Sequence, residues 1–217
     1  MKETEKNYDV TNWTEYYSKP KSKFSTVTQK ITLKKLCYYF EKYSRRNCDI
    51  IELGGGNSCF AINLLNNSQL EIKSYSIVDN CKVAVDKFKR MRLPGEAYVA
   101  DLTADNALNE INNLYDVVYS VGLVEHFRGE NIEKIILNHY RLCKTGGMVL
   151  ITVPTPTIQY RLIRKCMEIL NVWAFPDEKP IQYRDISDII NKYGEVVDVK
   201  INRKLPLTQL IIVTLKR

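Results

Sequence analysis

The run Glu52-Leu-Gly-Gly-Gly-Asn-Ser follows an apolar segment, Asp49 to Leu53, and leads into an amphipathic one that opens at about Ser58. Glycines at such a junction let the backbone turn sharply and let a ligand approach the main chain, while a helix start offers free N–H donors. A nucleotide-like ligand is therefore expected here. Asp79, with Asn80 behind it, ends the next apolar run, 23 residues after Gly56. At that separation a carboxylate can accept two hydrogen bonds from ribose hydroxyls. Asp101-Leu102 closes a third run. Each aspartate could instead cap a helix. Three polar stations at the ends of consecutive strands favour the ligand, because open parallel sheets bind at that edge. The dinucleotide fingerprint G-x-G-x-x-G, aligned from Gly54, puts Cys59 where its third glycine belongs, which weighs against a nicotinamide or flavin site.

Those stations need a scaffold, and the sequence supplies one. Apolar runs at Asp49 to Leu53, Ile72 to Val78, Ala97 to Ala100, Asp116 to Ser120 and Met148 to Val153 read as strands, and the segments between them have helical spacing. Such alternation predicts a doubly wound α/β fold, mostly parallel, with helices on both faces. Pro154 and Pro156 stop the fifth strand ahead of a helix over Thr157 to Leu170. A helix over Tyr183 to Tyr193 ends at Gly194, and strands follow at Glu195 to Ile201 and Leu207 to Leu215. The five residues between the last two leave no room for a crossover helix, so these strands close a seven-stranded sheet as an antiparallel hairpin. Ahead of the first strand, helices at Trp13 to Tyr17 and Thr26 to Tyr43 form an N-terminal segment, 1–48, expected to cap the ligand edge of a domain spanning 49–217.

With these residues placed, the family resemblance is specific. Glu52-Leu-Gly-Gly-Gly-Asn-Ser resembles motif I of the class I S-adenosylmethionine-dependent methyltransferases, and Asp79 and Asp101-Leu102 follow in that family's order. Tyr115-Asp-Val-Val-Tyr-Ser-Val-Gly-Leu-Val-Glu-His-Phe is similar to its motif IV region, and Leu142 to Pro154 to the loop and strand after it. The resemblance runs from Asp49 to about Pro154. It implies S-adenosylmethionine as cofactor. Glu52 and the backbone of Gly54 and Gly56 would hold its methionine moiety, together with Ser120. Asp79 would hold the ribose with Asn80 beside it, and Asp101 the adenine amino group next to the Leu102 amide. Ser58 stands where many relatives have another small residue.

The cofactor's sulfonium makes its methyl group reactive by itself, so the protein must align an acceptor and exclude water. A hydroxyl acceptor must also lose a proton. His126, one of two histidines, follows motif IV and is the candidate base; shaping the loop is its alternative role. His139 lies within a helix and reads as a surface or packing residue. The Asn/Asp-Pro-Pro-Tyr/Phe motif of amino-methylating DNA enzymes is missing, and no cysteine falls where pyrimidine-carbon methyltransferases carry their nucleophile. The two-glutamate loop of protein arginine methyltransferases is not recognisable either. A small-molecule or carrier-linked acceptor is the expectation, with a weak likeness to glycan and secondary-metabolite enzymes. An RNA methyltransferase and a noncatalytic partner protein are the alternatives. Tyr183 and Arg184 could contact the acceptor or cap their helix, and Trp13, Tyr16 and Tyr17 suit a lid and acceptor wall.

Charge adds a partner argument. The chain of 217 residues carries a net charge of +7, and between Lys19 and Arg46 nine basic residues face a single acid, Glu41. An anionic acceptor near that segment, or nucleic acid, is one reading; a solvated helix face is the other. Arg161, Arg164 and Lys165 on the helix after the fifth strand allow contact with a membrane-bound substrate, though an ordinary docked helix is the simpler reading. Six cysteines without a C-x-x-C pair fit reduced structural thiols, with no metal expected at them. MKETEKNYDV lacks the apolar core of a secretory signal and no run is long enough to span a membrane, so the cytoplasm is the expected location.

Overall fold

Successive strand residues belong to opposite faces of one sheet, and the sequence fills both faces with apolar side chains. Ile50, Val117, Tyr119, Leu150, Ile211 and Val213 enter one core, whereas Ile51, Leu53, Val118, Val149, Ile151 and Ile212 enter the other. A strand buried on both sides must lie inside a layered sheet. The computed structural model describes residues 10–19, 23–204 and 208–217. The first nine residues, Lys21 of the basic segment, and Pro206 and Leu207 at the hairpin turn lie outside them.

The seven strands are β1 (Cys48–Leu53), β2 (Ile72–Asp79), β3 (Ala97–Val99), β4 (Tyr115–Val121), β5 (Cys143–Pro154), β6 (Gly194–Asn202) and β7 (Gln209–Lys216). Their order is β3-β2-β1-β4-β5-β7-β6, parallel from β3 to β5, with β7 antiparallel to both β5 and β6. This is the doubly wound sheet with a terminal antiparallel hairpin that the sequence predicts. The last strand, however, inserts beside β5 and pushes β6 to the edge. Burial gives the reason: Gln209 to Thr214 are all buried, whereas β6 is half-exposed and carries Glu195, Asp198 and Lys200, which suit an edge.

Helices α1 (Trp13–Ser18), α2 (Lys23–Tyr43), α3 (Ala61–Leu65), α4 (Lys82–Arg90), α5 (Glu130–Leu142), α6 (Ile158–Ile169) and α7 (Ser187–Tyr193) complete the fold. Helices α2, α3 and α4 cover one face and α5 and α7 the other. Helix α2 packs into the core through its C-terminal half. Its Leu36, Tyr39 and Phe40 are each 1% exposed within the core, and each buried side chain of that size stabilises the fold by about 1.5–3 kcal/mol. Helix α1 stands at the ligand edge, and the start of α2 reaches it through Ser25, Thr28, Gln29 and Thr32. Thr157 caps α6 by accepting from the Tyr160 N–H at 3.1 Å. Helix α6 buries Tyr160 alone and leaves Ile158, Leu162 and Ile169 exposed, so it is less firmly docked than its sequence pattern suggests.

Three local expectations need correction. No helix joins β3 to β4; residues 101–111 form successive i→i+3 turns instead, such as Ala104 N–H to Asp101 O at 3.0 Å. Asp101 bonds the Thr103 N–H and hydroxyl there, competing with helical pairing. The segment Tyr183 to Tyr193 splits at Ile186 (φ −131°) into a 3₁₀ turn over Tyr183–Asp185 and α7. Gly194 has extended backbone (φ −137°) and opens β6; it is required because a Cβ would stand 2.8 Å from the Tyr140 ring.

Candidate active site

Strand β1 pairs with β2 on one side and β4 on the other, so the chain reverses its winding direction at the carboxyl end of β1. Loops leaving β1 and β4 diverge there and open a crevice. Gly54 and Gly56 turn the chain at its floor with φ of +66° and +52°, conformations that L side chains adopt only with strain. Space is as restrictive as conformation: a Cβ on Gly54 would lie 2.7 Å from Leu123 and one on Gly56 2.2 Å from the Tyr17 ring. Ser58 has φ +30° and the following helix starts only at Ala61, later than the sequence suggests. Its hydroxyl accepts from the Ala61 N–H and donates to Glu52 at 2.7 Å.

Glu52 is 4% exposed beneath this turn. Its carboxylate accepts from Ser58 and from the Tyr75 hydroxyl at 2.6 Å, and the Tyr119 hydroxyl bonds Tyr75 in turn. Burial nevertheless pushes its pKa up from 4.5 to about 7, the hydrogen bonds opposing that rise. Asp79 clamps the turn from the end of β2. Its Oδ2 accepts from the Gly56 N–H at 2.8 Å and its Oδ1 from the Cys81 N–H at 2.7 Å. Burial raises the Asp79 pKa against those bonds. The Gly56→Ala variant is expected to cost about 1 kcal/mol of stability through left-handed strain and to dislodge Tyr17, on which Trp13 stacks at 6.0 Å. A thermal melt and quenching of tryptophan fluorescence check this; unchanged Trp13 accessibility would refute it.

One cavity of about 630 Å³ runs along the edge, and Glu52, Gly54, Asp79, Asn80, Asp101 and Leu102 all line it. Asp101 is exposed, whereas Leu102 is 5% exposed with its carbonyl held by Asn138 at 2.9 Å. Three expected site residues face elsewhere. Ser120 is fully buried and its hydroxyl meets His139 Nε2 at 2.9 Å, off the cavity wall. His139 is no surface residue: it is fully buried, its Nδ1 bonds the Ile135 carbonyl at 2.8 Å, and burial lowers its pKa to about 4. A neutral ring donating from Nδ1 leaves Nε2 to accept the Ser120 proton. Tyr183 packs on the core and Arg184 is exposed beside Asp185, so neither lines the cavity.

The far end of the cavity is an aromatic and acidic corner. His126 ends a 3₁₀ turn, Val124–His126, after β4, and its side chain is 8% exposed between Trp13, at 5.0 Å between ring centroids, and Phe175, at 6.0 Å. Its Nδ1 lies 3.2 Å from Asp177 Oδ1, off the direction needed for a hydrogen bond. Burial lowers the His126 pKa, with Asp177 opposing, so the ring is neutral at pH 7. Tyr16 and Tyr17 reach the cavity from α1, which Lys87 fastens through the Tyr17 carbonyl at 2.5 Å. Glu125, Trp173, Phe175 and Glu178 also line it. The sequence marked the 175–183 segment but chose its wrong end, because the chain enters the cavity before Pro180 and leaves it afterwards.

A methyltransferase domain model matches residues 24–193. The chain belongs to the methyltransferase domain family. No curated protein matches the sequence. Among solved structures, the magnesium protoporphyrin IX methyltransferase of Synechocystis PCC 6803 with bound S-adenosylhomocysteine superposes with a TM-score of 0.70 at 13% identity, over 94% of this chain and 93% of that one. The N-methyltransferase NodS of Bradyrhizobium japonicum WM9 superposes with a TM-score of 0.60 at 11% identity, over 86% of each chain. This methyltransferase therefore has the class I Rossmann-like fold, for which S-adenosylmethionine is the methyl donor. The cavity fits such a group: its glycine floor has no room for a Cβ, and carboxylates from three successive strands border it.

Proposed function

We propose that this chain transfers the methyl group of S-adenosylmethionine to a hydroxyl or amine of a small or carrier-linked acceptor. One observation carries the reading: Glu52, Asp79 and Asp101, from the ends of β1, β2 and β3, share a cavity that continues without interruption to His126. Asp79 and Asn80 hold the ribose, Asp101 and the Leu102 amide the adenine, and Gly54, Gly56 and Glu52 the methionine portion. When bound, the cofactor supplies an electrophilic methyl carbon. Helix α1 closes over it through Tyr17, and His126 accepts the acceptor's proton.

Little in the wall favours the anionic acceptor expected from charge. Where α2 reaches the cavity it contributes Ser25, Thr28, Gln29 and Thr32, and Lys19, the cation among the described lining residues, is paired with Glu15 at 2.5 Å. The same scarcity of cations among the described lining residues weighs against RNA. Among the described residues no helix is long and apolar enough to cross a membrane.

Calorimetry with S-adenosylmethionine tests the assignment. Asp79→Ala is expected to weaken binding at least tenfold, about 1.4 kcal/mol, because ribose and glycine turn lose the same carboxylate. Equal affinity in the variant would remove Asp79 from the ribose site, and no binding by the unaltered protein would overturn the function.

A further inference from the structure

The acidic corner beside the cofactor residues holds two carboxylates, Glu125 and Glu178, that no cation among the described residues pairs with directly. Glu125 is 2% exposed on the cavity wall, and its Oε2 is buried without a hydrogen-bond partner. A ligand atom of Glu125, one of His126 and one of Glu178 lie within 4.8 Å of one another. Asp177, which accepts from the Thr11 hydroxyl, stands beside His126. Two arginines approach but turn their donors elsewhere. Arg128 bonds the carbonyls of Glu125, at 2.9 Å, Phe127 and Asp177, and Arg164 bonds the Glu178 carbonyl at 2.8 Å, the Glu168 carboxylate at 2.7 Å and, at 3.0 Å, the Tyr160 hydroxyl, so that it reaches the Glu178 carboxylate only through that hydroxyl. Glu178 is left with one neutral partner, the Tyr160 hydroxyl. An unpaired carboxylate is among the most costly groups to bury, so such a site is built for a donor or a positive charge.

Aromatic rings surround the same corner. Trp13 lies 5.9 Å from Phe175 and Tyr16 5.2 Å from it, with His126 against both Trp13 and Phe175. Ring faces attract cations, and they also exclude water from a flat apolar body. We propose that the acceptor is an amine, held with its nitrogen at the Glu125–His126–Glu178 corner and its apolar body against Trp13 and Phe175. This deepens, and rests on, the methyltransferase reading.

The corner answers both demands of an amine. It binds as the ammonium form, yet only the neutral nitrogen has a lone pair to donate. Glu125 or Glu178, when ionised, is placed to take the ammonium proton inside the site, and burial, which raises the pKa of both, favours that transfer. The nitrogen lone pair then forms the N–CH3 bond as the S–CH3 bond breaks, and the electron pair stays on sulfur as a neutral thioether. The positive charge moves to nitrogen, and one of its N–H protons passes to neutral His126. Atoms and charge balance without a further reactant.

Three probes of one shape separate the chemistries: benzylamine, benzyl alcohol and benzoate, each titrated into the full chain saturated with S-adenosylhomocysteine, with binding read by calorimetry and thermal shift. Benzylamine is expected to bind at least tenfold tighter than either analogue, and Glu125→Gln is expected to erase most of that preference. Glu178→Gln, which keeps the Tyr160 partner, gives a second reading should the first variant fold poorly. Equal binding of the three, tighter binding of benzoate, or a preference unchanged in both variants would overturn the proposal. So would stabilisation by magnesium or zinc that blocks benzylamine, which would make the corner a metal site. Failure of S-adenosylmethionine itself to bind would instead strike the methyltransferase reading.

Discussion

Replacing His126 by alanine is expected to slow methyl transfer by about 10²–10⁴-fold, the range for losing a positioned base, while S-adenosylmethionine affinity stays within about twofold. The ring is enclosed by Trp13 and Phe175 and is neutral at pH 7 because burial disfavours its charged form. Loss of the ring removes a proton acceptor and leaves the Asp79 hydrogen bonds to Gly56 and Cys81 in place. A purely structural His126 would behave differently, since the cavity left between the aromatic rings would lower stability and cofactor affinity together. The discriminating measurement is single-turnover transfer with and without added imidazole. Partial rescue by imidazole supports the base, whereas an unaltered rate, or a rate loss matched by lost stability, would refute it.

A second large effect is expected in stability without cofactor. Glu52 titrates at about 7 in the folded protein against 4.5 when solvated, because burial penalises its charge. Between those values the folded chain keeps a proton that the unfolded chain releases. Its contribution is thus complete below pH 4.5 and is lost as pH rises through 7, by about 3 kcal/mol. His139 acts in the opposite sense. Its folded pKa of about 4 lies below its usual 6.5, so its contribution is complete above pH 6.5 and disappears as pH falls through 4, by about 3 kcal/mol. The two offset each other in the native chain. Glu52→Gln keeps an acceptor for Ser58 and Tyr75 but removes one side of that balance. Its stability relative to the native chain should rise by about 3 kcal/mol between pH 4.5 and 7. Urea unfolding across that interval measures it, and parallel stability curves would show that Glu52 is charged in the folded state.

Both effects trace to one design constraint. A carboxylate that reaches a bound cofactor from beneath a glycine turn has to be buried, and burial is held in check only by neutral hydroxyl donors. Ser58, Tyr75 and Tyr119 supply those donors from three separate segments. Local destabilisation at binding sites of this kind is common, because the groups are arranged for a ligand rather than for the empty fold.

How far the sequence determined this molecule follows from the range of the forces involved. Continuous apolar strand runs, glycines at the strand-to-helix turn and a hairpin too short for a crossover are local signals, and the sheet, the Gly54–Gly56 floor and the carboxylates at Asp79 and Asp101 were legible in them. Strand order was not: β7 lies between β5 and β6 because it buries both faces, a competition between two strands settled only by packing. Nor was the loss of Ser120 to His139, since which face a strand-end hydroxyl takes depends on the helix laid against it. The acidic corner is the clearest case. Glu125 and His126 are neighbours in the chain, but Glu178 arrives from a loop more than fifty residues later, and its approach depends on Tyr160 and Arg164 of α6 holding that loop in place. Adjacent residues can be read from sequence; the charge left unpaired where two distant loops meet is fixed only once the chain has closed around it.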